Sequence, residues 1–186
     1  MKRWLIGAAL CVPPALHAEP AQYVAAGVSF GASEPIYNGY TVLGAVDGGY
    51  RLSQLWWVHA AVAYGPSVDR FGAHVPNGGH DLVVRGGGEV RWCASVLCGF
   101  AGGDLGIQRG SFTDTVYMEG TQTFTDTAAI VTPRAGFDVG SERIRARVEI
   151  DADLALAITQ DNSMYATPGF GRIIGVALGA GVAYQW

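Results

Sequence analysis

The sequence predicts an all-β fold, an eight-stranded antiparallel up-and-down transmembrane β-barrel, from three observations. Polar and apolar residues alternate with a period of two over long stretches, which in a strand places them on opposite faces. The connections between these stretches alternate in length, long and then very short. Hydrophobic residues make up 49% of the chain, yet beyond its first residues no apolar run reaches the ~18 needed to cross a bilayer as a helix.

Taken in order, the chain opens with "MKRWLIGAALCVPPALHA": a basic start at Lys2 and Arg3, an apolar run from Trp4 to Val12, and a small residue at Ala18. This is the layout of a secretory signal peptide over residues 1–18, which stands outside the fold. Lipidation at Cys11 is not expected, because Leu10 occupies the place where such a site wants a small residue. Residues 19–186 have the length of one domain, the barrel itself. Candidate strands lie near 21–31, 39–52, 55–65, 81–93, 97–109, 127–139, 143–159 and 171–186. The links "SQ" (53–54), "ASV" (94–96) and "GSE" (140–142) are short. Those at 32–38, 66–80, 110–126 and 160–170 are long and rich in loop-forming Gly, Pro, Asn, Asp, Ser and Thr. Tight turns then fall at one end and long loops at the other, as in a membrane barrel with short periplasmic turns and longer outer loops.

The stretch "RIRARVEIDADLALAI" (143–158) shows the alternation best. Its odd positions begin Arg143, Arg145, Arg147, Glu149, Asp151, Asp153, and its even positions, from Ile144 through Leu154 and Leu156 to Ile158, are hydrocarbon. A soluble sandwich with a solvated outer face would show the same pattern, and the last strand separates the two readings. In "RIIGVALGAGVAYQW" the even face is Ile174, Val176, Leu178, Ala180, Val182, Tyr184, Trp186, while the odd face from Gly175 to Ala183 is only Gly and Ala. A sandwich needs that second face polar. A narrow barrel instead needs small residues where long side chains cross the lumen, so hydrocarbon is expected outside and charge inside. Tyr40 and Tyr50, on one face of 39–52, are separated by roughly 23 Å at ~3.3 Å per residue and ~45° tilt. That matches an apolar band about 25 Å tall between aromatic girdles. Trp56, Trp92, Phe137, Tyr184 and Trp186 would ring the short-turn end, and Phe30, Tyr40 and Tyr64 the other.

In strand number, loop asymmetry and the terminal "GVAYQW", residues 19–186 resemble the eight-stranded outer-membrane β-barrels of Gram-negative bacteria. That group includes the OmpA membrane domain, OmpX and the opacity-type surface proteins. The resemblance implies an outer-membrane location, with both termini periplasmic and the long loops extracellular. It also implies that Val182, Tyr184 and Trp186 form the signal read by the barrel-assembly machinery, with Trp where Phe is commoner. No peptidoglycan-binding anchor domain is expected.

Strand parity places Asp47, Arg51, His59, Arg85, Glu89, Arg91, Asp104, Arg134 and Asp138 inside, together with the 143–153 ladder. Unpaired charges in a low-dielectric lumen cost on the order of several kcal/mol each, so these groups should pair across strands. The guanidinium fork suits carboxylates. Asp138, just across the "GSE" turn, is the first candidate partner for the arginines at that end.

The function expected from such an interior is that of a plugged barrel with a structural or surface-interaction role and no catalysis. Eight strands leave room for side chains only, whereas open aqueous channels belong to barrels of about 16 strands; a small ion-conducting channel is the weaker alternative. An outer-membrane enzyme modifying lipid A or phospholipid acyl chains is the other alternative. Ser67, Asp69, His74 and His80, with Asp81 nearby, could supply a nucleophile and a histidine base.

Cys93 and Cys98 are an even pair suited to an oxidising compartment and to a local disulfide across "ASV". Half a metal site is the competing reading of that spacing, but no second Cys or His pair accompanies it. No metal or cofactor is expected.

The chain has a net charge of −4, and its single lysine falls in the signal peptide, so nucleic acid is not an expected partner. The long loops carry Glu34, Asp69, Asp114, Glu119, Asp126 and Asp161 against Arg70. The tip should therefore draw basic proteins or divalent cations rather than anionic glycans. Arg109 and Arg172 point outward by parity, toward lipopolysaccharide phosphates. The expected partners are membrane lipid, lipopolysaccharide and an unidentified extracellular ligand, and the expected state is a monomer.

Overall fold

The computed structural model describes residues 21–33, 39–69, 79–116, 120–161 and 173–186. They form eight strands: β1 (Gln22–Ser33), β2 (Gly39–Arg51), β3 (Trp56–Asp69), β4 (Gly79–Ala94), β5 (Leu97–Val116), β6 (Gly120–Gly140), β7 (Ile144–Asp161) and β8 (Ile173–Gln185). Each pairs antiparallel with its sequence neighbours, and β8 returns to β1 to close the barrel. Closure leaves no sheet edge unpaired, which a strand-built structure requires in lipid.

The period-two pattern becomes the wall directly. Along β3 the odd residues Trp57 to Gly65 are buried and the even residues between them exposed. The parity inverts at the "ASV" turn, so that even residues such as Asp104, Arg134 and Asp138 point inward on β5 and β6. Large apolar side chains cover the outside, among them Val46, Val62, Leu105, Ile150, Leu178 and Val182.

Three expectations are corrected. The 110–126 connection is mostly strand: β5 and β6 stay paired as far as Val116↔Gly120. Thr and Phe are strand formers, and the pairs Thr113↔Thr123 and Phe112↔Phe124 continue the ladder through a stretch whose Gly, Asp, Ser and Thr suggested a loop. At ~3.3 Å per residue and ~45° tilt, β5 rises roughly 47 Å. It therefore stands well clear of an apolar band about 25 Å tall.

Second, the even face of β7 is not hydrocarbon against lipid along its whole length. The β6–β7 register shifts between Ala129 and Ile130, whose partners are Ala157 and Ala155, leaving Leu156 as the extra residue of a bulge. Beyond it the faces exchange, and Ile158 packs inside. Third, the β7–β8 register shift leaves out Ile174, which is fully buried in the interior instead of facing lipid.

The interior is layered. At the short-turn end Tyr23, Ala25, Trp57 and Ala183 form an apolar cluster. Toward the long-loop end Ala63, Val83, Ala128, Ile130, Ala155 and Ile174 form another, with Leu43, Ala45 and Ile158 against it. A belt of charge surrounds the first cluster, with Arg91 over Tyr23 and Trp57, and extends toward the second. Two glycines make room for it: the Tyr23 ring lies on Gly49, where a Cβ would stand 2.6 Å from Tyr23 Cζ, and at Gly179 a Cβ would stand 3.0 Å from Glu149 Cγ.

The two faces should respond differently to substitution. Ile150→Arg, on the lipid face, should raise the free energy of insertion by ~2–4 kcal/mol. Ile174→Ala should cost ~2–5 kcal/mol by opening an internal cavity, a loss that a lipid-facing isoleucine would largely escape. Folding titrations into lipid vesicles measure both, and a negligible loss for Ile174→Ala would place that residue outside.

Candidate functional site

The belt is assembled from six strands, and β7 supplies its densest part. Arg145, Arg147, Glu149, Asp151 and Asp153 lie opposite Ala183, Gly181, Gly179, Ala177 and Gly175 of β8, so the long side chains rise over a nearly bare neighbour. β2 contributes Asp47, β3 His59, β4 Arg85, Glu89 and Arg91, β5 Asp104, and β6 Arg134 and Asp138. Glu89 and Asp138 are 0% exposed and Asp104 2%, so each must find its partner within the protein.

Arg147 bridges two carboxylates. Its Nε and Nη2 donate to Asp138 at 2.8 and 3.3 Å, and its Nη1 donates to Asp47 Oδ2 at 2.9 Å. Arg134 Nη2 donates to Glu149 Oε2 at 2.7 Å and to the same Asp47 oxygen at 3.2 Å. Tyr23 Oη also donates to Asp47 Oδ2, at 3.1 Å. His59 lies between Asp104 (Nε2 to Oδ1, 2.9 Å) and Asp47 (Nδ1 to Oδ1, 3.4 Å).

Arg91 Nε donates to Glu89 Oε1 at 2.5 Å, and its Nη2 is 3.1 Å from Asp138 Oδ2. On the long-loop side Arg85 Nη2 donates to Asp151 Oδ2 at 2.8 Å, and Thr132 donates to Asp153. Arg145 stands apart, with Nη1 donating to Cys98 Sγ at 2.8 Å. That sulfur is bonded to Cys93.

Aromatic rings fill the gaps between guanidiniums. Arg91 lies 4.4 Å and Arg147 4.7 Å from the Tyr23 ring centroid, and Arg147 and Arg134 lie 4.9 and 5.4 Å from that of Phe100. Such stacking gains strength where water is excluded. Tyr23, Trp57 and Phe100 are not among the lumen residues expected from charge alternation, although strand parity puts all three inside. Two voids beside the belt measure about 30 and 40 Å³, room for a few water molecules.

Other sequence candidates lie elsewhere. Arg143 is exposed rather than in the lumen. The turn closes by hydrogen bonds between Ser141 and Ile144, which leaves Arg143 beyond the rim. Arg51, at the end of β2, is half-buried and donates Nε to the Ser53 carbonyl. Asp126 is buried on the inner face of β6 rather than part of an acidic tip, because the strand extends past it. Arg109 is exposed on the outer face of β5, and Val182, Tyr184 and Trp186 are exposed at the end of the chain.

Ser67 faces inward, whereas His80 faces outward with its ring stacked on Tyr64 at 5.7 Å. A hydroxyl and an imidazole on opposite faces of the wall cannot exchange a proton directly. His74, Glu34, Arg70, Glu119, Arg172 and residues 1–18 lie outside the described residues, as do the side chains of Asp69, Asp114 and Asp161.

No protein-family model matches the chain, and no curated protein matches it. Solved structures do. Neisserial surface protein A superposes with a TM-score of 0.62 over 89% of this chain and 97% of its own, at 12% identity. Ail, the attachment invasion locus protein of Yersinia pestis, gives 0.58 over 90% and 99% at 11% identity. The outer membrane protein OprG from Pseudomonas aeruginosa gives 0.56 over 90% and 97% at 9% identity. At these identities the likeness is one of fold: the chain is an eight-stranded outer-membrane-type β-barrel, closed, antiparallel and transmembrane.

Proposed function

We propose that the protein is a non-catalytic integral barrel of a Gram-negative outer membrane, with a plugged lumen and a structural or surface-interaction role carried by its long-loop end. The termini and short turns face the periplasm, after removal of residues 1–18, and the longer connections face outward. The observation that carries this reading is the belt joining β2 to β7 through Asp47, Arg134 and Arg147, backed by the apolar layer around Ile130 and Ile174. An ion crossing the lumen would have to displace buried ion pairs and then pass a mostly apolar layer, in which the buried Gln108 stands beside Val83 and Ala128.

The aromatic C-terminal face, Val182, Tyr184 and Trp186, is available to the assembly machinery. Arg109 stands on the outer wall at a height suited to lipopolysaccharide phosphate. The opposed faces of Ser67 and His80 weigh against the acyl-transfer alternative.

Three outcomes are expected. The protein should fractionate with the sarkosyl-insoluble membrane and show heat-modifiable gel mobility; a soluble periplasmic monomer would refute the location. In planar bilayers it should give no large steady conductance, and a stable open level would overturn the plug. Arg147→Met should destabilise the barrel by ~3–5 kcal/mol, because it removes the guanidinium that Asp138 and Asp47 share and leaves their buried charge under-compensated. Adding Asp138→Asn should recover part of that loss in the same denaturant titration.

A further inference from the structure

Cys93 and Cys98 are cross-strand partners in the β4–β5 hairpin, held between the pairs Trp92↔Gly99 and Ala94↔Leu97 with Cα atoms 4.0 Å apart. A disulfide stabilises mainly by restricting a long loop in the unfolded chain. This one spans a sequence separation of 5, so its contribution to stability lies at the low end of what disulfides give. Its two sulfurs are not equivalent. Cys93 belongs to the exposed rim at the short-turn end, while Cys98 is 1% exposed.

Arg145, itself 6% exposed, aims Nη1 at Cys98 Sγ. Among the described residues no carboxylate lies within salt-bridge distance of it, and its Nε has no hydrogen-bond partner. A guanidinium donates weakly to a disulfide sulfur and strongly to an anion. Asp138, opposite Cys98 in the ladder, is already held by Arg147 and Arg91, which leaves the Arg145 guanidinium placed to hold a Cys98 thiolate, the species that exists only when the bond opens.

We propose that the Cys93–Cys98 disulfide is a thiol-exchange site, with Cys93 the atom attacked and Cys98 the leaving group. The thiolate of a soluble low-molecular thiol approaches from the short-turn end and bonds to Cys93 Sγ. The Cys93–Cys98 bond breaks, and its electron pair departs on Cys98 as a thiolate held by Arg145. This first step conserves redox state, because one disulfide replaces another. A second external thiolate can attack the thiol's own sulfur in the mixed disulfide. It releases Cys93 as a thiolate and carries the two external thiols away as their disulfide, so that the protein is reduced and they are oxidised. Better stabilisation of the leaving thiolate speeds such exchange.

The inference rests on the proposed orientation only for the source of the thiol, which would be periplasmic. The test is made in detergent micelles, where sidedness plays no part. Folded protein, verified by heat-modifiable mobility, is treated with glutathione, quenched with iodoacetamide and mapped by peptide fragmentation. The expected result is glutathione on Cys93 and the alkyl group on Cys98. Opening should be about five-fold or more slower in Arg145→Met, with partial recovery in Arg145→Lys. Glutathione on Cys98, opening only when the barrel unfolds, or an unchanged rate in Arg145→Met would each overturn the proposal. Should Arg145→Met fail to fold, the position of the adduct in the unaltered protein and the rate in Arg145→Lys decide it. A purely structural Arg145 would alter stability while leaving both unchanged.

Discussion

One carboxylate, Asp47, holds the interior together. Its Oδ2 accepts from Tyr23, Arg134 and Arg147 at once, and its Oδ1 faces His59. β1, β2, β3, β6 and β7 thus meet at a single side chain in the middle of the lumen. Most of the remaining belt is connected through these partners: Arg147 reaches Asp138, Asp138 reaches Arg91, and His59 reaches Asp104. Each buried charge is tolerable because the next one compensates it. Removing one member therefore leaves others uncompensated, a loss larger than that of one contact.

This arrangement answers a requirement that the wall creates. An eight-stranded barrel encloses a space too narrow for bulk water and too wide to be left empty. Its outer face is already apolar for the sake of lipid, so a uniformly apolar interior would leave little to tell inside from outside during insertion. Arginines, carboxylates and rings of Tyr23, Trp57 and Phe100 make the two faces chemically opposite. The apolar layer around Ile130 and Ile174 then separates the belt from the long-loop mouth. The β5–β6 hairpin, paired as far as Val116↔Gly120, reaches far beyond both layers.

Strand parity was legible because period-two alternation depends only on residues adjacent in the chain. The inward places of Asp47, Arg85, Glu89, Arg134 and Arg147 follow from it directly. It failed where the ladder itself is irregular. The bulge at Leu156 and the extra residue Ile174 invert or interrupt the faces; no Gly or Pro adjoins Leu156, and Gly175 beside Ile174 is one of three glycines in β8 and does not single it out. Arg143 continued the ladder in sequence but not in space, because Ser141 closes the turn before the wall begins. By composition the hairpin past Ser111 reads as a loop, because its Gly, Asp, Ser and Thr all suit one, although Thr suits a strand as well. Cross-strand pairing, which settles that contest, is not a local property.

By itself the sequence determined the class of fold, the division between lipid and lumen, and the end at which the turns are short, since each follows from the order of residues within one strand or one link. Only the tertiary structure decided who pairs with whom. Arg147 and Asp47 are strangers in sequence and hydrogen-bonded neighbours across the lumen. Arg145 carries the same ladder spacing as Arg147, yet meets a sulfur where Arg147 meets carboxylates. Those choices depend on shear, tilt and bulges, which set the heights at which side chains from different strands arrive. Such heights exist only once the barrel has closed.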